Sequence, residues 1–204
     1  LGRPAPHPIL VAPMAYQALA HPDGERAMAL AASAQGAGMV LSAQAGTTLE
    51  TIAADIGGDP HRGPLWFQLY LPRDRALALD LLARAEAAGF EAIVLTVDAP
   101  VQGARDRERR AGFHLPPGLQ AVNLAPRSGG GTPSTSVSPA TGHGHASAEP
   151  GPATWADVTW LRDHLRLPLL LKGVIHPADA RQAVRIGVDG LIVSNHGGRT
   201  LDTA

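Results

Sequence analysis

Residues 65–98, LWFQLYLPRDRALALDLLARAEAAGFEAIVLTVD, decide the fold because they hold two apolar strands with one amphipathic helix between them. The predicted strands, 65–70 and 92–97, are continuous apolar runs, which is typical of strands covered on both faces. From Asp74 to Ala88 the apolar residues recur at a helical period, and Gly89 is expected to end the helix. This order of elements predicts a βαβ unit with parallel strands.

The same alternation continues on both sides of this unit. Four further apolar runs of strand length occur at residues 8–12, 39–42, 167–172 and 190–194. Helices are predicted after Asp23 as an N-cap, across the segment with Trp155, Leu161 and His164, and from Pro177 onward. We therefore predict an α/β fold of the TIM (β/α)8 barrel type, represented by about six of its eight βα units.

We predict one barrel domain over residues 1–204, incomplete at both of its ends. An eight-unit barrel needs about 250 residues, and the sixth predicted strand lies close to the end of these 204 residues. The stretch from Gly118 to Pro152 interrupts the pattern because it is rich in Gly, Ser, Pro and Thr. Since such a composition buries little apolar surface, we interpret residues 118–152 as a flexible loop after the fourth strand.

The composition argues against several classes of function. Lys and Arg number 17 and Asp and Glu number 18, so the formal net charge of −1 offers no basis for nucleic-acid binding. Cysteine is absent, which removes disulfides, thiolate metal sites and a thiol nucleophile, and no metal site is predicted. No signal-peptide pattern is found, and no apolar run approaches the ~20 residues that span a bilayer. We expect a cytoplasmic protein without a membrane span.

Polar residues stand at the predicted carboxyl ends of the strands, where parallel α/β folds gather their functional groups. These candidate site residues are Ser42, Gln68, Tyr70, Thr96, Asp98, Lys172, Ser194 and His196. Taken alone, Asp98 is equally consistent with a cap of a helix or turn, and Tyr70 with a core aromatic whose hydroxyl is hydrated. The basic run from Arg105 to Arg110 is ordinarily a solvated loop.

Several of these motifs resemble one known family. The run SNHGGRTLD at residues 194–202 is similar to the active-site signature of the FMN-dependent 2-hydroxy-acid oxidases and dehydrogenases. The motifs APMA (12–15), HPDGE (21–25), FQLY (67–70), LTVDAP (95–100) and LKGV (171–174) also resemble that family and occur in the same order. The resemblance covers nearly the whole chain outside residues 118–152.

The resemblance implies FMN-dependent oxidation of an (S)-2-hydroxy acid to the 2-oxo acid, with His196 as the active-site base. It implies that Asp98 stabilises the protonated imidazole and that Tyr70 orients the substrate hydroxyl. Arg199 and Arg105 would bind the substrate carboxylate, for which a guanidinium fork is suited. The residues that the resemblance assigns to FMN binding are Pro13, Met14, Ala15, Ser42, Gln68, Thr96, Lys172 and Ser194. Among these, Lys172 would stabilise the negative charge of reduced FMN.

The resemblance leaves the substrate and the electron acceptor open. The substrate is expected to be a small anionic 2-hydroxy acid such as lactate, glycolate or mandelate. Gln44 stands where glycolate oxidases carry a large aromatic residue, which indicates a different pocket. The acceptor is dioxygen, a quinone or a cytochrome, and the resemblance also implies a homo-oligomer, a tetramer in this family.

Two alternatives stay open. An FMN barrel with non-redox isomerase or nucleotide dehydrogenase activity would share the phosphate-binding end of the barrel, but it does not require His196 together with Arg199. The second alternative is an inactive fragment. It arises because the family's main phosphate-binding residues belong to the two barrel units that the 204 residues lack.

Overall fold

The computed structural model describes residues 4–99, 106–125 and 152–199. Its strands are β1 (Leu10–Val11), β2 (Gly38–Ser42), β3 (Leu65–Leu69), β4 (Ala92–Thr96), β5 (Leu169–Lys172) and β6 (Gly190–Ile192). Its helices are α1 (Gly24–Ala34), α2 (Leu49–Gly57), α3 (Arg75–Ala87), α4 (Asp106–Arg110), α5 (Trp155–His164) and α6 (Pro177–Ile186). Short 3-10 helices cover Gln17–Leu19, Val122–Leu124 and His196–Gly198. Within these ranges, no helix combines the length and the apolar character needed to cross a membrane.

The strands form one sheet in which every neighbouring pair is parallel. Their order in the sheet, β1 to β6, is their order in the chain. A doubly wound sheet would reverse its strand order partway, whereas a barrel adds each new strand on the same side of the last one. The prediction of a TIM-type barrel represented by six βα units is therefore confirmed.

Helix α3 shows how the local sequence sets the limits of an element. The Asp74 carboxylate accepts hydrogen bonds from the backbone N–H groups of Ala76 at 2.9 Å and Leu77 at 3.4 Å, which caps the first turn. Gly89 follows the helix in a left-handed conformation with φ +85°, so the helix ends there as predicted. The residues that the helix buries are Ala78, Leu81, Leu82 and Ala85.

The other predicted helices begin at the expected places but differ in their capping. Pro177 occupies the first position of α6, as predicted. In α5, the Thr154 hydroxyl and the Asp157 carboxylate form a capping box. Asp23 stands at the N-cap of α1 as predicted, but among the described residues its side chain makes no cap hydrogen bond. Its backbone is helical, with φ −81° and ψ −4°, whereas a capping residue is usually extended.

Each face of the sheet carries its own apolar cluster, because successive side chains of a strand point to opposite faces. The larger cluster lies between the sheet and the helices and joins Phe67 and Leu95 to Leu81 and Leu161. The smaller one, called the inner cluster here, lies on the face away from the helices. Its buried members are Val40, Ala92, Val94 and Leu170, with Leu10, Trp66 and Ile192 packed against them.

The predicted flexible loop, 118–152, falls within the described ranges only at residues 118–125 and 152. Asn123 is fully buried, at 0% exposure, and its side chain joins this segment to the loop after β2. Its Oδ1 accepts from the backbone N–H of Leu49 at 2.9 Å, and its Nδ2 donates to the carbonyl of Thr47 at 3.1 Å. Residues 126–151 lie outside the described ranges, so the flexibility of the loop stays a prediction.

Candidate active site

Four of the predicted site residues lie on one face of the sheet, at the carboxyl ends of its strands. In each of four strands, a residue of the inner cluster is followed two positions later by a polar residue. The pairs are Val40 and Ser42 in β2, Trp66 and Gln68 in β3, Val94 and Thr96 in β4, and Leu170 and Lys172 in β5. Residues two apart in a strand point to the same face, so the four polar side chains lie on the inner face at the carboxyl ends. All four residues are buried, with exposures of 2% to 7%.

Asp98 connects three of the predicted functional groups, although it lies beyond the end of β4. Its Oδ1 lies 2.8 Å from Nδ1 of His196, and its Oδ2 lies 3.7 Å from the Lys172 ammonium. The Tyr70 hydroxyl lies 3.3 Å from Nε2 of the same imidazole, and the two rings are nearly parallel, 11° apart. The structure therefore brings Tyr70, His196, Asp98 and Lys172 into one cluster.

The hydrogen bonds of His196 select its tautomer. An ionised Asp98 only accepts, so the neutral imidazole donates from Nδ1–H and keeps its lone pair on Nε2. The Tyr70 hydroxyl then donates to Nε2 in this structure. An imidazole oriented in this way has its basic nitrogen turned away from the carboxylate, which is the arrangement needed to accept a proton from a bound molecule.

Burial strengthens the electrostatics of the cluster. The side chains of Asp98 and Lys172 are each 9% exposed, and that of His196 is 24% exposed. Among the described residues, Asp98 Oδ2 has no hydrogen-bond donor, and the Lys172 ammonium is the charge beside it. A carboxylate so little hydrated interacts with the groups beside it more strongly than it would in water.

Gly173 allows Asp98 to take this position. Its φ of +108° is one that residues with a side chain rarely adopt. A Cβ at residue 173 would lie 2.4 Å from Cβ and 2.5 Å from Cγ of Asp98, which is closer than real atoms approach. Glycine is therefore required here both by the backbone and by the closeness of Asp98.

The loop after β6 presents the imidazole through a strained turn. His196 has φ +62°, and the two glycines that follow it also have positive φ. The Ser194 hydroxyl accepts from the backbone N–H of His196 at 3.0 Å, and Asn195 Oδ1 accepts from that of Gly198 at 3.3 Å. Ser194, predicted to contact FMN, thus has a contact that supports the position of His196.

The remaining predicted cofactor residues lie at the same end of the sheet. Gln68 Nε2 donates to the Thr96 hydroxyl at 3.0 Å, and Ser42 Oγ accepts from the backbone N–H of Gln44 at 3.1 Å. Pro13, Met14 and Ala15 lie in the loop after β1, and Met14 is 44% exposed. These residues place an amide, two hydroxyls and a partly exposed loop at the carboxyl ends of the strands, the end that also carries the Asp98 cluster.

Of the two predicted carboxylate-binding arginines, the structure describes only Arg199, and its contact is with a residue outside the Asp98 cluster. Arg199 Nη2 lies 3.5 Å from Glu108 Oε1 on α4, and the Arg199 side chain is 61% exposed. Arg199 therefore contacts Glu108 of α4, whereas His196 and Lys172 both contact Asp98. Arg105 lies outside the described residues.

The fold and the site together define a class, that of parallel-barrel enzymes whose polar groups stand at the carboxyl ends of the strands. The family described as FMN-dependent dehydrogenase matches residues 1–204. The L-lactate oxidase of Nostoc sp. is 46% identical over 204 residues, which are 100% of this chain and 56% of that protein. The 4-hydroxymandelate oxidase of Amycolatopsis orientalis is 46% identical over 203 residues, 100% of this chain and 55% of that protein.

A solved structure gives the same relationship in three dimensions. The crystal structure of mandelate oxidase with benzoyl-formic acid superposes with a TM-score of 0.81 at 44% identity, covering 100% of this chain and 52% of that one. The chain belongs to the FMN-dependent dehydrogenase family. It spans about half the length of the curated relatives that it matches.

The residues of the site fit the cofactor in the family's name. The isoalloxazine ring of FMN has a polar edge of carbonyl and ring nitrogen atoms and a flat apolar face. Gln68, Thr96 and Ser42 offer amide and hydroxyl partners for such an edge, and Lys172 offers a buried positive charge. The exposed loop that contains Met14 suits the flat face. The chemistry of the donor set therefore agrees with FMN.

Two residues that organise the site were not predicted to do so. Gly173 appears in the sequence only as part of a family-like motif, and its contact with Asp98 requires coordinates. Glu25 is 1% exposed and accepts hydrogen bonds from two loops. Glu25 belongs to the family-like motif HPDGE, but no role was predicted for it, because an acidic residue in the first turn of a helix is ordinarily explained by the helix dipole.

Proposed function

We propose that the protein oxidises an (S)-2-hydroxy acid to the corresponding 2-oxo acid with FMN as its cofactor and His196 as the base. The observation that carries this proposal is the 2.8 Å hydrogen bond between Asp98 and Nδ1 of His196, which leaves Nε2 able to accept a proton. The names of the relatives support the substrate class, since they are oxidases of lactate and of 4-hydroxymandelate.

The oxidation removes two electrons and two protons from the substrate. His196 accepts one of these protons at Nε2, and the resulting imidazolium lies against the Asp98 carboxylate. Because Asp98 is buried, this attraction is stronger than it would be in water. When bound, FMN would supply the acceptor for the two electrons and for the second proton.

The other site residues bind and orient the two small molecules. Tyr70 is within hydrogen-bonding distance of Nε2, so its hydroxyl can hold a substrate hydroxyl beside the base. Arg199, 61% exposed, is proposed to exchange Glu108 for the substrate carboxylate, with Arg105 as the second guanidinium. Ser42, Gln68, Thr96 and Lys172 would hold the FMN ring.

Replacement of His196 tests the proposal. In protein produced from its complete gene, His196→Ala should retain FMN but lower the rate constant of flavin reduction by about 10²–10⁴-fold, the usual contribution of a general base. The measurement is anaerobic stopped-flow bleaching of the flavin absorbance with lactate, glycolate and mandelate in turn. Ranking the three acids also identifies the preferred substrate.

His164→Ala is the matched control, because His164 is exposed and lies at the end of α5, next to the amino end of β5. It should change neither the FMN content nor the rate. Loss of FMN from His196→Ala, or bleaching at the wild-type rate, would contradict the proposed role. A flavoprotein that no 2-hydroxy acid bleaches would favour the non-redox alternative. The electron acceptor, the homo-oligomeric state and the cytoplasmic location stay predictions.

A further inference from the structure

Glu25 is a buried carboxylate outside the His196 cluster. It lies in the first turn of α1 and is 1% exposed. Its Oε1 accepts from the backbone N–H of Gln17 at 3.0 Å and from that of Gly46 at 3.1 Å. Its Oε2 accepts from the Thr47 hydroxyl at 3.2 Å. Three donors from two different loops therefore meet on one side chain.

Burial of the Glu25 carboxylate carries a desolvation cost, and no cation among the described residues offsets it. In the part of the chain that the structure describes, no Lys, Arg or His forms an ion pair with Glu25, so amide and hydroxyl donors and the start of α1 carry the compensation. An apolar residue would fill the same space without this desolvation cost. The presence of a carboxylate at residue 25 is therefore explained better by the two loops that it connects than by a contribution to the stability of the fold.

The two loops that Glu25 connects hold proposed cofactor residues. The loop between β1 and Gln17 contains Pro13, Met14 and Ala15, and the loop between β2 and α2 begins directly after Ser42. The loops also touch directly, since the backbone N–H of Tyr16 donates to the carbonyl of Gln44 at 3.3 Å. Tyr16 has φ +51°, so its backbone conformation needs support from its surroundings.

We propose that Glu25 is a positioning residue for the cofactor: it fixes the loop with Pro13, Met14 and Ala15 against the loop after β2 and so shapes the face that meets FMN. This inference rests on the proposed function. The effect of Glu25 is transmitted through the backbone N–H groups of Gln17 and Gly46 and not through contact with the reacting atoms. Affinity for FMN should therefore respond more than the chemical step.

Two substitutions of Glu25 distinguish the effect of its hydrogen bonds from the effect of its side-chain volume. Glu25→Ala removes all three contacts and should raise the Kd for FMN by about tenfold or more. Glu25→Gln keeps one oxygen for the two backbone N–H groups, and its amide can donate to the Thr47 hydroxyl, which also accepts. This conservative variant should hold the Kd within about threefold of wild type. The Kd is measured by fluorescence quenching of FMN on the apoprotein from the complete gene.

Thr47→Val keeps the proposal testable if Glu25→Ala does not fold. It removes one contact with little change in shape and should raise the Kd by about two- to fivefold. Glu91→Ala is the control, because this acidic residue directly precedes β4, at the amino ends of the strands, and pairs with Arg62 at 2.7 Å. It should lower the Tm of the apoprotein without changing the Kd.

The outcomes distinguish this inference from the proposed function. Wild-type protein that binds no FMN would remove the proposed function and the inference together. If the wild-type protein binds FMN but Glu25→Ala changes the Kd no more than Glu91→Ala does, the inference alone is overturned. Thr47→Val takes the place of Glu25→Ala in this comparison if Glu25→Ala does not fold. If Glu25→Ala folds and weakens FMN binding, a Glu25→Gln variant with an equally raised Kd would also contradict positioning by hydrogen bonds.

Discussion

Gly173 is the residue whose lack of a side chain lets Asp98 stand between His196 and Lys172. We predict that Gly173→Ala lowers the rate constant of flavin reduction by about 100-fold, the scale of a misplacement of about 1 Å in a catalytic group. The reason is steric, because the new Cβ would lie 2.4 Å from Cβ of Asp98 and would push the carboxylate away from the imidazole. Anaerobic flavin reduction measures the effect.

Gly187→Ala provides the matched control for this prediction. Gly187 ends α6 with φ +85°, and no atom of the described residues lies within 4 Å of the position its Cβ would take. Both substitutions place a Cβ on a backbone with positive φ, but only the one at residue 173 displaces Asp98. Equal rates of flavin reduction in the two variants would show that the closeness of residue 173 to Asp98 has no catalytic consequence.

At the scale of residues, sequence patterns locate the site but not its internal bonds. Strand ends identify Thr96, Lys172 and His196 because apolar runs stop there. The bond between Asp98 and His196 joins residues 98 positions apart, and no local pattern encodes it. Ser194 illustrates the limit: the resemblance assigns it to FMN binding, which stays a prediction, and only the structure shows that its hydroxyl accepts from the backbone N–H of His196.

At the scale of elements, the apolar runs predict the strands well, and the differences have local causes. β1 covers Leu10–Val11 instead of 8–12, because it lies between Pro8 and Pro13, which cannot donate to a ladder. Helix α2 is not among the predicted helices, although the Thr48 hydroxyl caps it by accepting from the N–H of Thr51 at 3.2 Å. A helix of 9 residues offers little periodicity to detect.

Helices α1 and α2 are joined by an ion pair that makes their packing depend on pH. Arg26 donates from Nε to Asp55 Oδ2 at 2.7 Å and from Nη2 to Oδ1 at 2.9 Å. The hydrogen bond from Arg26, aided by its charge, lowers the pKa of Asp55 below its usual value. A lowered carboxylate pKa contributes stability that is complete above the unfolded value of about 4 and is lost as the pH falls through the folded value.

We therefore predict that Arg26→Gln lowers the Tm at pH 7 by about 1–3 °C, a small effect because the pair is partly exposed and screened. The difference from wild type should shrink as the pH falls from 4 to 3, since Asp55 becomes protonated in both proteins. Thermal unfolding at pH 7, 4 and 3 measures it. Arg166→Gln, whose side chain is 86% exposed, is the control and should track wild type at every pH. A difference that grows on acidification would contradict the prediction.

At the scale of the whole molecule, the described sheet has two edges. β1 pairs with β2 alone and β6 with β5 alone in the described ranges, and large apolar side chains lie next to both edges. Ile9 beside β1 is 64% exposed, and Val193 beside β6 is 79% exposed. An edge strand with exposed apolar neighbours is a template for pairing with another chain. A protein that consists of residues 1–204 alone should therefore self-associate.

Val193→Lys tests whether the edge causes this association, because a lysine at an edge disfavours strand pairing. We predict that the variant shifts the 204-residue protein toward the monomer, as measured by size-exclusion chromatography with light scattering at two concentrations. Val184→Lys is matched to it, since Val184 is 70% exposed but lies on α6. If both variants reduced association equally, general apolar exposure would explain it better than the edge. A wild-type 204-residue protein that is monomeric at both concentrations would contradict the prediction itself, because β6 would then not recruit a partner despite its unpaired side.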